Sequence, residues 1–499
     1  MGIVIRQSIK GTLVTYIGAF IGFLTTLYII PQFVGQELYG LTRVILEAGL
    51  LFAVIFQLGT TSSILRFFPH FKAKDKKNNG FFFYMIAWTT FGFLLFIPIF
   101  YLLKQPISDY FSEQSALFVD YLQWLIPLTF FLIYWLTFEV YSNVMMRIAV
   151  PKFIREILVR LLIIVVYIAY AFGYIGISGF VIGFICVYGI AMLLTFFYIS
   201  RIGSISLKHD KSFLTPTLKK DFFSYTSIIT LGSLGGTLIG KIDIFMISGE
   251  MGLGWTGIYA IAFYMISIVD IPSRSITSIS APIAAEALKN ADFQAANNLY
   301  KQVSLHQLLI GSAIFLLLWI NIDNIYAIIP NGGAYSAGKW VVLFIGIAKL
   351  VEITLGFGGT LVSFSKYYHW NLYFVLFISG ITILLNWLLI PRLGISGAAL
   401  ATAITCLISY SIQQWIVLVK IKANPYSWGT LKIIGIIGLL LCLNLILPTL
   451  NNPIEDMLYR TSIICLIGIP LVYRLRISEQ SNNLLRGIFS QIKKHIRRK

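Results

Sequence analysis

The sequence predicts an all-α polytopic membrane protein with about fourteen transmembrane helices, and its composition and apolar runs are the main reasons. Of the 499 residues, 58% are hydrophobic and only 12% are charged, whereas a soluble domain carries about 25% charged residues. The first apolar run, residues 12–34, contains no charge. A helix of that length crosses a hydrocarbon layer of about 30 Å, and it exceeds the roughly 7–15 apolar residues of a signal peptide.

Apolar runs of similar length recur to the end of the chain. The predicted spans are residues 12–34, 41–65, 81–103, 116–145, 157–173, 179–200, 224–249, 255–280, 303–322, 338–363, 370–390, 395–419, 431–448 and 458–475. An even number of spans places both chain termini on one side of the membrane. Tyr39, Trp255 and Tyr259 lie near predicted outside turns and fit an interfacial belt of aromatic residues.

The net charge of +18 is concentrated in alternate loops. Lys and Arg cluster near residues 66–77, 147–155, 201–220 and 420–432 and in the tail after residue 473, whereas the opposite loops hold few. Because these residues accumulate on the cytoplasmic side of membrane proteins, both termini are predicted to be cytoplasmic. The basic charge is then a topology signal, and we expect no nucleic-acid partner.

Glycine landmarks recur at nearly one spacing. Gly35 and Gly40 of one turn match Gly252 and Gly257 of another at one common offset, and the letters GISG that begin at Gly176 return at Gly394, at an offset greater by one. The chain is therefore predicted to contain two six-helix repeats followed by two additional helices. Because each unit has an even number of helices, the repeats are parallel. Generic glycine turns between tightly packed helices are the rival explanation.

The predicted boundaries follow this repeat. They give an N-terminal six-helix lobe, a cytoplasmic linker, a C-terminal six-helix lobe, two additional transmembrane helices and a basic cytoplasmic tail, at residues 1–200, 201–223, 224–419, 420–475 and 476–499, respectively. Residues 281–302 are read as an amphipathic helix on the cytoplasmic surface or as a plain connector. Duplicated bundles suit alternating access, with a substrate site between the halves near the middle of the membrane.

About nine charged side chains are expected inside the predicted spans. They are Arg43, Glu47, Glu139, Lys241, Asp243, Asp270, Arg274, Lys349 and Glu352. A charge at the bilayer centre costs about 2.5–3.5 kcal/mol, so nine charges facing lipid would cost on the order of 25 kcal/mol. They are therefore expected to face one another, water or a ligand.

The spacing of these charges predicts pairs. Three pairs fall at i,i+3 or i,i+4 spacing, which places both members on one helix face. They are Arg43 with Glu47, Asp270 with Arg274, and Lys349 with Glu352. Lys241 and Asp243 are two residues apart and point to different sides of their helix. Pro272 removes a backbone donor and is expected to kink its helix.

These charges have a simple and a functional interpretation. In the simple one, the pairs only neutralise buried charge. In the functional one, the cations line a cavity and bind an anion, while the acids orient them or carry protons. The substrate-binding candidates are then Arg43, Arg274, Lys241 and Lys349, and the supporting or coupling acids are Glu47, Asp270, Asp243, Glu352 and Glu139. The arginines suit phosphate best, because a guanidinium matches two phosphate oxygens at once.

Two stretches resemble a known family. They are PQFVGQELYGL at residues 31–41 and IDIFMISGEMGLGWTGIYAIA at residues 242–262. With the fourteen spans, they resemble the polysaccharide-export flippases of the multidrug/oligosaccharidyl-lipid/polysaccharide (MOP) superfamily, which also holds the multidrug and toxin extruders (MATE) and the lipid II flippase. The resemblance covers the whole chain in topology and implies MATE-like lobes with a cationic central cavity. Arg43 on the second span and Arg274 on the eighth lie where cavity arginines are expected.

The resemblance implies a function. The implied substrate is an undecaprenyl-diphosphate-linked oligosaccharide, destined for O-antigen of lipopolysaccharide, capsule or a similar polymer, moved from the inner to the outer leaflet. The first span lacks both the acidic residue frequent in cation-coupled drug extruders and the Arg–Asp pair of the lipid II flippase pattern. A cation-coupled drug or metabolite exporter and a lipid II flippase stay as alternatives.

The resemblance also implies a setting. The chain is expected in the bacterial cytoplasmic (inner) membrane, with the lipid bilayer, a polyprenyl-diphosphate-linked glycan and other membrane proteins of polysaccharide assembly as partners. No cofactor is expected, and coupling to the membrane potential, H⁺ or Na⁺ is left open. No nucleophile–base or metal constellation is visible in the sequence, so the chain is not expected to be an enzyme.

Overall fold

The computed structural model is helical throughout its described part. It describes the backbone of residues 2–72, 78–202, 205–206, 215–367, 370–478 and 482. These residues form α-helices with short 3₁₀ and π segments, and no β-strand occurs among them. Tertiary contacts divide the chain into two compact units. Unit 1 comprises Met1–Ile261 and Val375–Ile395, and unit 2 comprises Ala262–Phe374 and Ser396–Lys499. The division into two six-helix lobes stays a prediction.

Among the described residues, eleven helices precede residue 268. They are α1 (Gly2–Leu24), α2 (Gln36–Phe56), α3 (Thr60–Phe71), α4 (Phe81–Phe111), α5 (Ala116–Asp120), α6 (Leu125–Val144), α7 (Ala149–Phe153), α8 (Val159–Ala171), α9 (Ile177–Ile202), α10 (Pro216–Met251) and α11 (Leu253–Ser267). Two π-helical segments follow α1 and α7, at Thr25–Val34 and Ile154–Leu158. Pro31 lies inside the first segment, and because it has no N–H to donate, one hydrogen bond of the regular α-helical pattern is missing there.

Ten further helices follow in the described ranges. They are α12 (Asp270–Lys289), α13 (Phe293–Ile320), α14 (Ile322–Ile328), α15 (Gly332–Tyr335), α16 (Lys339–Leu355), α17 (Phe357–Phe364), α18 (Trp370–Leu393), α19 (Ile395–Ile416), α20 (Trp428–Ile446) and α21 (Pro453–Arg474). Residues 281–302 are neither one surface helix nor a connector, because they divide between the end of α12 and the start of α13. Asp292 caps α13 by accepting a hydrogen bond from the Ala295 N–H at 2.8 Å, which fixes the break.

The predicted spans correspond to these helices. In the described part of the chain, ten helical segments are long and apolar enough to cross a membrane, and two bent pairs raise that number to twelve. The pairs are α11 with α12, bent by 50°, and the segment Gly332–Leu355 with α17, bent by 41°. Pro272 lies in the first turn of α12, so the expected kink is confirmed. The two other predicted spans, residues 157–173 and 224–249, coincide with α8 and α10.

The outer surface of the helices is apolar, as a membrane requires. Leu102 on α4, Leu445 on α20 and Leu466 on α21 are 77%, 85% and 73% exposed. Exposed apolar surface on this scale is unfavourable in water and suits contact with lipid tails. Inside unit 1, aromatic side chains pack together, and the ring centroids of Phe52 and Phe96 lie 5.1 Å apart. The all-α polytopic fold class is confirmed.

The first glycine of the repeated turn has the same backbone geometry in both copies. Gly35 has φ and ψ of 83° and 174°, and Gly252 has 95° and 171°, a region that glycine alone populates freely. Each of them immediately precedes a helix, α2 or α11. The GISG copies agree less well: α9 and α19 each begin directly after the first glycine, but Gly394 has a φ of 60° and Gly176 has no positive φ.

The second glycine of the turn makes a reciprocal contact inside unit 1. A Cβ atom added at Gly40 would lie 1.9 Å from the carbonyl oxygen of Leu253. A Cβ atom added at Gly257 would lie 2.1 Å from the carbonyl oxygen of Gln36. Gln36 and Leu253 are themselves separated by the same offset as the two glycine pairs, so exchanging the two copies maps this contact onto itself. The repeat that the sequence predicts is therefore present in the geometry of this turn.

Candidate functional site

The charged residues of unit 1 include a three-residue cluster, Arg43, Glu47 and Lys241, which we call the Glu47 cluster. The Oε1 atom of Glu47 accepts hydrogen bonds from Arg43 Nη2 at 2.8 Å and from Lys241 Nζ at 2.9 Å. The Glu47 side chain is 2% exposed, whereas those of Arg43 and Lys241 are 30% and 33% exposed. Two cations therefore share one buried anion, and the predicted pairing of Arg43 with Glu47 is confirmed.

Helix spacing and aromatic packing build this cluster. Arg43 and Glu47 lie one turn apart on α2, and Lys241 comes from α10. Three buried tyrosines lie near the guanidinium: Tyr39, Tyr167 and Tyr188. Arg43 Nε and Glu47 Oε2 are buried and have no hydrogen-bond partner among the residues described. The expectation that Tyr39 belongs to an interfacial belt is wrong, because its side chain, one turn before Arg43, faces the protein interior.

Asp243 points away from the Glu47 cluster, as its two-residue spacing from Lys241 predicts. Its carboxylate is 5% exposed and accepts hydrogen bonds from the Tyr259 hydroxyl at 2.6 Å and from Asn386 Nδ2 at 2.9 Å. Tyr259 is buried, so its assignment to an interfacial belt is also wrong, whereas Trp255 is 40% exposed. The sequence could not separate these cases, because only helix packing brings the Asp243 carboxylate of α10 to the Tyr259 hydroxyl.

Unit 2 contains a second cluster, Asp270, Arg274, Lys349 and Glu352, which we call the Lys349 cluster. Lys349 Nζ lies 3.0 Å from Asp270 Oδ2 and 2.7 Å from Glu352 Oε2. The pairing of Lys349 with Glu352 is thus confirmed. The pairing of Asp270 with Arg274 is not observed, because Lys349 on α16 takes the Asp270 carboxylate. Arg274 is exposed, and within the described ranges its side chain forms no hydrogen bond or salt bridge.

A polar cavity of about 290 Å³ adjoins the Lys349 cluster. It is lined by Asp270, Ser273, Arg274, Thr277, Gln307, Lys349, Glu352, Ile353, Gly356, Phe357 and Tyr410. Gln307 is 2% exposed, and its Nε2 donates to Thr277 Oγ1 at 2.8 Å and to the Ser273 carbonyl at 3.2 Å. The Tyr410 hydroxyl lies beside the Glu352 carboxylate. These neutral polar residues cannot be identified from the sequence, because neither their residue type nor their spacing distinguishes them from ordinary helix residues.

Glu139 belongs to neither cluster. Its Oε1 lies 2.8 Å from Arg155 Nη1, in the π-helical segment that joins α7 to α8. Glu156 bridges Arg155 at 3.3 Å and Arg160 at 3.2 Å, and Arg160 also donates to the Gly18 carbonyl. Arg160 lies inside the predicted span at residues 157–173 and is missing from the list of intramembrane charges. Because carboxylates engage both arginines, this group suits a structural role better than ligand binding.

A buried ion pair fixes the last helix. Arg460 Nε lies 2.6 Å from Asp456 Oδ2, and the two side chains are 7% and 5% exposed. Arg460 also donates to Asn444 Oδ1 at 2.8 Å and to the Pro448 carbonyl at 3.2 Å, while Asp456 accepts from Asn324 Nδ2 at 2.6 Å. Arg460 is expected near an outside loop, and the pair is not predicted from the sequence, although its i,i+4 spacing is visible.

An apolar groove of about 450 Å³ lies in unit 2 beside α13, α20 and α21. Among its lining residues are Leu309 and Leu316 on α13, Ile436 and Leu440 on α20, and Ile464 on α21. None of the residues that line the groove is an acid, a lysine or an arginine. A hydrocarbon chain is the chemistry that such a wall accepts.

This chain resembles known proteins more in structure than in sequence. No family model matches the chain. An uncharacterized membrane protein of Methanocaldococcus jannaschii is 24% identical over 243 residues, which cover 46% of this chain and 46% of that protein. The chain thus matches less than half the length of this curated relative.

Solved structures match over most of the chain. The lipid II flippase MurJ, in an inward closed conformation, superposes with a TM-score of 0.76 at 16% identity, covering 94% of this chain and 100% of that one. An inward-facing multidrug resistance MATE family transporter of the MOP superfamily gives 0.58 at 14% identity, covering 82% and 94%. A MOP superfamily transporter of Pyrococcus furiosus gives 0.57 at 12% identity, covering 85% and 96%. The chain has the MOP fold.

Proposed function

We propose that this chain is a flippase that moves an undecaprenyl-diphosphate-linked oligosaccharide from the inner to the outer leaflet of a bacterial cytoplasmic membrane. The Glu47 cluster is the main observation that supports this proposal. Its two cations outnumber the single anion that anchors them, and about a third of each cationic side chain stays exposed. A diphosphate diester is dianionic, and charge-assisted hydrogen bonds from guanidinium and ammonium groups are its strongest protein contacts.

Glu47 makes this arrangement tolerable inside a membrane. A lone cation at the bilayer centre costs about 2.5–3.5 kcal/mol, and the shared carboxylate compensates part of the charge on Arg43 and Lys241. It also fixes one donor of each cation, at 2.8 Å and 2.9 Å. The remaining donors are then oriented before the substrate arrives, so binding orders fewer side chains.

The membrane potential favours the proposed direction of transport. With the inside negative, moving a negative charge outward gains about 2.3 kcal/mol per elementary charge per 100 mV. A dianionic headgroup gains twice that amount. The proposed mechanism of alternating access therefore needs no coupling ion. The apolar groove supports a substrate with a long hydrocarbon part, because it offers that part a wall without charge.

A cation-coupled exporter on the same fold is the second candidate. The Lys349 cluster favours it, because Asp270 and Glu352 are the kind of paired carboxylates that can exchange a proton or a cation. A lipid II flippase is the third, and its lipid substrate gives it the same need for cations. The exporter and the flippases differ in the charge of what they carry, which an experiment can read directly.

The experiment is deletion of the gene, followed by measurement of undecaprenyl-linked sugars on the cytoplasmic leaflet. The proposal predicts that these lipids accumulate inside, and that wild-type protein clears them. Arg43→Ala should fail to clear them at normal expression. Arg201→Ala, an exposed arginine at the end of α9, is the matched control and should succeed. Full clearance by Arg43→Ala, or no accumulation after deletion, would contradict the proposal.

A further inference from the structure

The polar cavity of unit 2 offers a different electrostatic environment from the Glu47 cluster. Lys349 already has two carboxylate partners, at 3.0 Å and 2.7 Å. The Lys349 cluster holds two cations, on Arg274 and Lys349, and two anions, which are the carboxylates of the other two members. A dianionic ligand binds less favourably here than at the Glu47 cluster. It must either displace a carboxylate from Lys349 or approach two carboxylates that are negatively charged like itself. The diphosphate is therefore better matched to the Glu47 cluster than to this cavity.

The side chains around the cavity supply donors and acceptors together. Thr277 Oγ1 accepts a hydrogen bond from Gln307 at 2.8 Å, and its own O–H donates to no group in the part of the chain that the structure describes. Arg274 adds unengaged donors, and the Glu352 carboxylate, 38% exposed, adds acceptors. A hydroxyl group donates and accepts at once. A ligand with several neighbouring hydroxyls fits such a wall better than an anion, which only accepts.

The size and the framework of the cavity also suit a small rigid ligand. Its volume is about 290 Å³, at the lower end of the roughly 300–1,000 Å³ typical of small-molecule sites. Thr277 and Gln307 stand on α12 and α13, and Tyr410 stands on α19. Polar groups held by helices keep their positions better than groups on loops. The cavity thus accepts a ring-sized unit rather than a long chain.

Resting on the proposed function, we propose that this cavity is a glycan-binding subsite that holds one hydroxyl-rich sugar unit of the lipid-linked oligosaccharide. The Glu47 cluster then binds the diphosphate, which every such lipid shares. Thr277, Gln307 and Tyr410 contact the part that differs between glycans, and they determine specificity.

The test compares two lipids in proteoliposomes. One is synthetic undecaprenyl diphosphate, and the other is the glycosylated undecaprenyl diphosphate that accumulates in the deletion strain. Both carry a radioactive phosphate, and an impermeant pyrophosphate-cleaving enzyme added outside releases label from the outer leaflet only. The rate of release beyond the initial outer-leaflet pool measures movement across the membrane.

Two near-isosteric variants each remove one hydroxyl from the cavity: Thr277→Val and Tyr410→Phe. Each should slow movement of the glycosylated lipid about fivefold or more, the effect of losing one hydrogen bond. The same variants should move undecaprenyl diphosphate at a rate within about twofold of the wild-type rate. Ser278→Ala and Tyr373→Phe are matched controls, because both residues are exposed and neither lines the cavity. Arg43→Ala should slow both lipids.

Equal losses for both lipids, or no loss for either, would overturn the glycan subsite and leave the flippase intact. A wild-type protein that moves neither lipid would overturn the proposed function and this inference with it. A second measurement uses wild-type protein and so avoids any folding defect of a variant. The oligosaccharide released from the accumulated lipid should slow movement of the glycosylated lipid and not of undecaprenyl diphosphate. Absence of that inhibition at millimolar oligosaccharide would also count against the subsite.

Discussion

The Glu47 cluster and the Lys349 cluster follow two copies of one glycine turn, yet they differ in position and charge. Arg43 follows Gly35 by eight residues, whereas Arg274 follows Gly252 by 22, a difference of about 20 Å along a helical path. The first cluster has more cations than anions, and the second is balanced. The repeated turn keeps its backbone geometry, while the charged residues are particular to each copy.

This difference shows how a buried acid changes the use of a neighbouring cation. Glu47 is shared by two cations, so each keeps donors that no carboxylate occupies. Lys349 is shared by two acids, so its charge is compensated before any ligand arrives. The ratio of acids to cations, more than the number of cations, separates an anion site from a neutral one. Four sets of substitutions test this difference.

The largest expected effect is on stability, from Lys349→Met. Removing this ammonium leaves Asp270 and Glu352 facing each other without a cation, and breaking a buried pair costs about 3–5 kcal/mol. Since Glu352 is 38% exposed, solvent screening lowers the expected loss to about 2–3 kcal/mol. Lys241→Met should cost only about 1 kcal/mol, because Glu47 keeps Arg43. Denaturant-induced unfolding in mixed micelles measures both values.

A second substitution tests the cause of that loss. Asp270→Asn in the Lys349→Met background removes one of the two unpaired acids and should recover most of the lost stability. Recovery would show that carboxylate repulsion and desolvation produce the effect. A double variant as unstable as Lys349→Met alone would assign the loss to packing of the lysine stem instead.

The next effect is on transport, from Arg43→Ala. Losing a charge-assisted hydrogen bond to phosphate costs about 1.5–3 kcal/mol, so movement of undecaprenyl diphosphate should slow about 10–100-fold. Arg43→Lys keeps the charge but not the planar fork, and should fall between wild type and Arg43→Ala. Initial rates in proteoliposomes measure this series. Equal rates for all three proteins would remove Arg43 from the site.

The third effect is on stability and tests the reciprocal contact between the two glycine turns. The loss of stability should be equal for the two copies of the turn. Gly40→Ala and Gly257→Ala place a Cβ 1.9 Å and 2.1 Å from a carbonyl oxygen, and overpacking of this kind costs about 1–3 kcal/mol. Gly254→Ala is the matched control on α11, because nothing lies within 4 Å of its added Cβ. Unfolding midpoints compare the three variants. A large loss at one glycine only would argue against a reciprocal contact.

The smallest effect is expected from Arg274→Ala. Its side chain is exposed and engages no carboxylate in a salt bridge within the described residues, so stability should change by no more than about 0.5 kcal/mol. Arg43→Ala should lose more stability than Arg274→Ala, because it leaves Glu47 with one cation instead of two. Unfolding of both variants under the same conditions checks the order. A destabilised Arg274→Ala would reveal a structural role for this arginine.

Much of the fold follows from the sequence, because membrane helices are constrained by length and hydropathy. Each of the fourteen predicted spans overlaps a helix or a bent helix pair, and Pro272 marks one of the bends. The span predicted at residues 41–65 runs across the break between α2 and α3. The break at residues 290–292 does not follow from the sequence. Polar residues near the end of α12 and the start of α13 obscure the two helices, and the Asp292 cap marks where α13 begins.

The site is predictable in part. Helix periodicity predicts the pairing of Arg43 with Glu47, because both partners lie on one helix. It cannot predict that Lys241 joins them from α10, or that Lys349 takes Asp270 from Arg274. Such contacts depend on how helices pack, which a single sequence does not encode locally. Neutral residues such as Gln307 and Thr277 carry no sequence signal at all.

The proposed function is tested by movement of the glycosylated undecaprenyl diphosphate from the deletion strain, carried by wild-type protein at imposed membrane potentials. A potassium gradient with valinomycin sets the potential to either sign, and protein-free vesicles and neutral undecaprenol serve as references. The proposed function predicts movement of the diphosphate lipid well above the protein-free rate, faster away from the negative side, with no effect of potential on undecaprenol. Movement no faster than in protein-free vesicles, or equal for charged and neutral lipid, would contradict it.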